Sequence, residues 1–213
     1  ALANLRRAGA QRIVVLPLYP QASGAATGAV YDQVGAALRG WRALPGLHLI
    51  GDYHADTGYI AALANSVREH WQANGRTARL LVSFHGIPQR NVDRGDAYAD
   101  QCRVTAQQLA SALELGANDW SLAFQSRFGS TRWLAPATDR VLQDLPASGV
   151  RSLTVVCPGF AVDCLETLEE MALRGRESFL RAGGNQFQYV PALNDRGDHA
   201  SALARLVLVN AGG

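Results

Sequence analysis

Apolar positions along the chain follow two periods. Short continuous runs, long enough for buried strands, occur at Arg12–Leu18, Leu47–Ile50, Leu80–Phe84, Trp120–Gln125, Leu153–Cys157 and Phe187–Val190. Tyr19-Pro20, Gly86 with Pro88, and Pro158-Gly159 stop three of them, since neither proline nor glycine continues a strand well. Between the runs the apolar spacing is helical. It reads Leu2, Leu5, Ala8, then Val30, Val34, Ala37, Leu38, then Ile60, Leu63, Ala64, Val67, Trp71. It resumes with Cys102, Ala106, Leu109, Leu113 and with Val141, Leu142, Leu145. Gly9, Gly40 and Asn74-Gly75 end helices, Asp56 or Thr57 caps one, and Thr138 or Asp139 starts another. A further helix begins near Asp163 and breaks near Gly175, and Asp198 to Val209 is the closing helix.

The order is one helix followed by six strand–helix units. Alternation of this kind calls for parallel sheets in a doubly wound α/β architecture. Right-handed crossovers bring the loops after the strands to one edge. That edge collects Tyr19, Ser23, His54, His85, Arg127, Trp133 and Asp163.

With 213 residues the chain suffices for one large α/β domain or two small ones. A formal net charge of +2 without a Lys/Arg cluster along one face argues against nucleic acid as a partner. No apolar run approaches the roughly 18 residues of a membrane span, and no signal peptide is visible. Cys102, Cys157 and Cys164 form no CxxC pair and no even disulfide set, so a reducing, cytoplasmic setting is expected.

Two stretches carry candidate chemistry. His85 stands at the carboxyl end of the Leu80–Phe84 run, where ligands sit in open α/β sheets. A histidine there can take a proton, ligate a metal or simply hydrogen-bond a turn. In the second stretch, Cys157 to Glu170, a regular helix would put Asp163, Glu166, Thr167 and Glu170 on one face. Such a face is either a solvated acidic helix start or a track for cations or protons toward His85. The loop Gln21–Thr27 is small and polar but lacks nucleotide-binding spacing. His54, between Asp52 and Asp56, is a minor candidate for a surface metal site, with a capped helix start as the alternative. Arg127 can orient an acid group of a ligand or brace its loop, and Cys102 and Cys157 read as structural.

The sequence resembles ferrochelatase, most closely the bacterial form without an iron–sulfur extension. The resemblance rests on PLYPQASGAATG (17–28), SFHGIP (83–88), DRGDAYADQC (93–102), FQSRFG with WLAP (124–136) and CPGFAVDCLETLEE (157–170), in the family's order over nearly the whole chain. It implies insertion of Fe(II) into protoporphyrin IX, the terminal step of haem biosynthesis, with iron as substrate and no tightly bound cofactor or cluster. It puts the active-site histidine at His85 and the facing acid at Glu166, with Glu170 one helical turn further on. His85, Glu166 and Glu170 are then the metal-contacting set, and Tyr98 and Trp133 line the porphyrin cleft. Cys164 stands where many relatives have histidine, so a second imidazole is absent there.

The resemblance also implies two Rossmann-like lobes with the first only partly present. Family members carry roughly a further hundred residues upstream, on the scale of a domain. The expected division is 1–46 as the remnant of the first lobe, 47–186 as the second lobe, and 187–213 as a last strand and helix returning to the first. On this reading Ile13 to Leu16 present an exposed apolar face. A chelatase acting on coproporphyrin and a non-catalytic tetrapyrrole or metal carrier are the alternatives. Peripheral membrane association and oligomeric state stay open.

Overall fold

The computed structural model describes residues 1–211. Among the described residues six strands form two parallel sheets. β1 (Arg12–Val15) pairs with β2 (Gly46–Leu49), Ile13 opposite Leu47. The larger sheet has the order β4-β3-β5-β6, with β3 Arg79–His85, β4 Trp120–Gln125, β5 Ser152–Val156 and β6 Gln186–Tyr189. Leu81 lies beside Ser121 of β4 and Val155 of β5, and β6 aligns Phe187 with Leu153.

The sheet is buried on both faces, which explains why its strands read as continuous apolar runs. Leu80, Val82, Phe84, Phe124 and Val156 point to one side. There they meet Ile60, Leu63 and Val67 of α3 (Thr57–Asn74) and Cys102, Ala106 and Leu109 of α5 (Tyr98–Ala112). Leu81, Ala123, Leu153 and Val155 point to the other side. They meet Leu142 and Leu145 of α6 (Thr138–Ala147), Met171 and Phe179. The period-2 alternation of side chains divides one set of strands between two cores. Asp56 caps α3, its side chain accepting from the Tyr59 N–H at 3.0 Å.

The remaining helices are α1 (Leu2–Arg7), α2 (Thr27–Leu38), the short α4 (Gln89–Asp93), α7 (Leu165–Thr167), α8 (Arg176–Arg181) and α9 (Gly197–Ala211). Between α7 and α8 the chain is π-helical over Leu168–Gly175.

Two strand pairings and one apolar face differ from what the division into lobes led us to expect. The strand at 47–50 pairs with β1 rather than with the second sheet. The last strand adds to β5 and does not return to the first sheet. α9 packs mainly on α3 and also on β1. Ile13 is therefore buried and Val14 to Leu16 half-buried, so the exposed face expected there is covered.

The chain leaves β3 for one neighbour, β4, and later builds β5 and β6 on its other side. The topological switch point thus falls between β3 and β5, and a crevice opens outside their carboxyl ends. His85 ends β3, and Cys157-Pro158-Gly159-Phe160 follows β5.

Candidate active site

Local sterics fix the histidine at the end of β3. A Cβ at Gly86 would lie 2.9 Å from the Gln125 carbonyl oxygen and 3.3 Å from the Trp133 ring, so glycine is needed there. The His85 Nδ1 is 2.6 Å from the Gly86 carbonyl oxygen. A carbonyl only accepts, so Nδ1 carries the proton and Nε2 of the neutral ring is left as an acceptor. The His85 carbonyl in turn accepts from the Tyr98 hydroxyl at 2.9 Å. Burial pushes the Tyr98 phenol well up, which keeps it a donor.

His85 and Tyr98 border a cavity of about 690 Å³ together with Tyr19, Gln21, Ile87, Phe128, Trp133 and Phe160. Its size suits a small organic ligand, for which cavities run about 300–1,000 Å³. The Trp133 indole N–H donates to the Phe128 carbonyl at 2.9 Å, and the two rings stand 4.7 Å apart. Phe160 lies 6.3 Å from the His85 ring. Aromatic faces around one imidazole acceptor make a wall suited to a flat, largely apolar molecule.

The acids divide among three places. Glu166 is outside the cavity wall but within electrostatic reach of His85. The Cys164 thiol first, then the helix's own N–H and the His85 ring, hold its carboxyl below the ordinary value. Burial first and Glu166 second push the Cys164 thiol up. The Glu166 carbonyl accepts from the buried Gln125 side chain at 2.7 Å. Gln125 also accepts from Ser83 at 2.8 Å and from the Cys157 thiol at 3.4 Å.

Glu170 lies in a neighbouring polar cleft with Arg127, Asp139 and Arg174. Its two carboxylate oxygens accept from the Ser126 N–H at 2.7 Å and the Ser126 hydroxyl at 2.6 Å. Ser126 is left-handed, with φ 64°, so Glu170 holds the turn that opens the loop to Phe128 and Trp133.

Asp163 turns away from both. The regular helix begins only at Leu165, with Cys164 as its N-cap, and goes over to i→i+5 bonding after Thr167. The single acidic face expected from an unbroken helix at Asp163 is therefore not formed. Burial would raise the Asp163 pKa, but hydrogen bonds from Asn194, Tyr189, Ala192 and Thr167 outweigh it and hold the carboxyl below the usual range.

The minor candidates resolve as supports. Asp56 caps α3 and pairs with Arg205, while His54 bonds Asp52 at 2.6 Å. No group of three His, Cys, Asp or Glu that could hold a metal occurs among the described residues. Arg127 pairs with Asp139 at 2.8 Å and so braces its loop on α6. Cys102 and Cys157 are buried and free. Phe128 and Phe160 are wall residues that the sequence does not single out, although both lie inside the FQSRFG and CPGFAVDCLETLEE motifs. In sequence Gln125 shows only as a strand end, and the signal for its role is a long amide closing an apolar run.

A parallel α/β framework with an aromatic cleft at its switch point defines an α/β protein built to hold a small ligand. In fold it is similar to SirB from Bacillus subtilis, solved with Fe3+ (TM-score 0.70, 14% identity, 99% of this chain and 76% of that one). The chain belongs to the ferrochelatase family, whose model matches residues 1–211. It is 53% identical over 212 residues to a ferrochelatase of Thioalkalivibrio sulfidiphilus, covering 100% of this chain and 58% of that protein. Against a ferrochelatase of Nitrosococcus oceani the identity is 53% over 207 residues, 97% of this chain and 56% of the relative. The chain thus spans little more than half the length of these curated relatives.

Proposed function

We propose that the protein inserts Fe(II) into protoporphyrin IX, releasing two protons and forming protohaem. The observation that carries this reading is the His85 Nε2, an acceptor beside an aromatic cavity in a chain of this family. A free porphyrin is a flat, closed ring with two inner N–H groups. Metal enters only when the ring bends and both protons leave. The site must therefore offer a flat slot, a proton acceptor near the ring centre and a route for the ion.

In this reading Trp133 and Tyr98, with Phe128 and Phe160, form the slot. His85 Nε2 takes an inner proton or transiently ligates the ion. Glu166, kept anionic, draws the proton or the cation onward and stabilises a positive imidazolium. Nitrogen and carboxylate together suit Fe(II). Both Glu170 oxygens are engaged by Ser126, so its place on the metal route requires those bonds to open. Iron is a substrate and the scheme needs no resident cofactor or cluster. We place the protein in the reducing cytoplasm, in keeping with its three free cysteines. No described helix is long and apolar enough to cross a membrane. We further propose that β1 and β2 belong to a second Rossmann-like lobe that faces the cleft.

The test is anaerobic turnover of the intact protein with Fe(II), offered protoporphyrin or coproporphyrin in separate assays. Many metalloporphyrins per protein, faster with protoporphyrin, support the proposal. At most one per protein indicates a carrier, and a preference for coproporphyrin indicates the other chelatase.

A further inference from the structure

We propose that Asp163 is a positioning residue that fixes Glu166 relative to His85, and not itself a stop for protons or metal. This rests on the functional reading above. The Asp163 carboxylate accepts four hydrogen bonds, three from the distant segment 189–194 and one from Thr167, four residues on. Oδ1 accepts from the Tyr189 hydroxyl at 2.7 Å, the Thr167 hydroxyl at 3.0 Å and the Ala192 N–H at 3.2 Å. Oδ2 accepts from the Asn194 amide at 2.9 Å, and the Asp163 N–H donates to Asn194 Oδ1 at 2.9 Å.

Asn194 is itself locked. It is left-handed, with φ 48°; its N–H donates to the Ala161 carbonyl, and its own carbonyl accepts from the buried His199 at 3.1 Å. The loop between β6 and α9 and the segment before α7 are thus joined through one carboxylate. Thr167, fully buried, carries the tether past Glu166, and its hydroxyl also accepts from the Cys164 N–H at 2.9 Å. Gln125 holds the Glu166 carbonyl from the sheet side. Glu166 therefore lies on a short turn bound at both ends and in the middle. A relay group exchanges its contacts as a proton or ion passes, whereas Asp163 is committed to four structural donors, three of them on Oδ1.

The test exchanges charge without exchanging geometry. Asp163→Asn places an amide against the Asn194 amide, donor facing donor. The double variant Asp163→Asn/Asn194→Asp reverses donor and acceptor in that bond and leaves Oδ1 free to accept its three bonds. Aspartate also tolerates the left-handed backbone at 194. Two readouts are taken on the intact protein: Zn(II) insertion into protoporphyrin, and the rate at which Cys164 reacts with a disulfide reagent. Cys102 and Cys157 are buried, so the fast thiol reports the start of α7.

For Asp163→Asn the expected result is a loss of kcat of at least tenfold, porphyrin KM within twofold, and Cys164 reacting at least tenfold faster. The swapped pair should restore both to within about threefold of wild type. The proposal is overturned if the swap stays as inactive as the single variant while Cys164 reacts at the wild-type rate. Undiminished turnover in Asp163→Asn overturns it equally. If Asp163→Asn does not fold, Tyr189→Phe removes one tether and keeps the carboxylate. A partial fall in kcat with faster Cys164 then supports the proposal, and no change in either overturns it. If the wild-type protein inserts no metal, the functional reading fails. The thiol rates of the single and swapped variants then decide the tether alone.

Discussion

At the residue scale the site depends on which atoms are left open. The Gly86 carbonyl takes the Nδ1 proton of His85 and leaves Nε2 as the acceptor at the cavity wall. Replacing His85 by alanine is expected to lower chelation by about 10²–10⁴-fold, the usual worth of one positioned acid–base group, while porphyrin quenching of Trp133 fluorescence persists. Glu166→Gln should depress kcat more than Glu170→Gln, because Glu166 is within electrostatic reach of His85 while both Glu170 oxygens are engaged by Ser126. Steady-state rates at saturating porphyrin compare the two; a larger effect at Glu170 would move the acid of the site there. Gly86→Ala must shift the Gln125 carbonyl. A destabilisation of about 1–3 kcal/mol in denaturant titration, as for overpacking, is expected. The place of His85 at a strand end was legible in sequence, because an apolar run precedes it and Gly86 and Pro88 follow it. The roles of Asp163 and Glu170 were not, because they depend on Asn194, Tyr189 and Ser126, which are remote in sequence from the acids they engage.

At the scale of elements, periodicity located all six strands, most of them within a residue or two. β1 ends earlier than its apolar run, since Pro17 supplies no N–H to the ladder. The break near Gly175 was visible, but the π-helix before it was not, since helical spacing alone does not distinguish i→i+4 from i→i+5 bonding. The tether at α7 has a consequence for acid stability. The Asp163 pKa is depressed in the folded chain, so its contribution is complete above the ordinary aspartate range. It is lost as pH falls through the lower folded value. Thermal unfolding should show wild type above Asp163→Asn at pH 7, with the gap narrowing below about pH 4, near the unperturbed aspartate value. A gap that stays constant down to pH 2 would assign the effect to packing.

For the whole molecule, one strand end unites the two cores with the cleft. Phe84 is fully buried beside His85 and packs 6.5 Å from Phe124. Phe84→Ala should cost about 3–5 kcal/mol, as for other buried phenylalanines. The doubly wound sheet was legible because strands and helices alternate. The pairing of β1 with β2 and of β6 with β5 was not, because runs of Val, Leu and Ile carry no mark of their neighbours. The central claim is that His85 Nε2 serves metal insertion in the cavity. It is tested most directly by Zn(II) insertion into protoporphyrin, followed by fluorescence, in the intact protein and its His85→Ala variant. The account predicts many turnovers for wild type, at least a hundredfold fewer for the variant, and porphyrin affinity within a few-fold. A variant that turns over near the wild-type rate while binding porphyrin would contradict it.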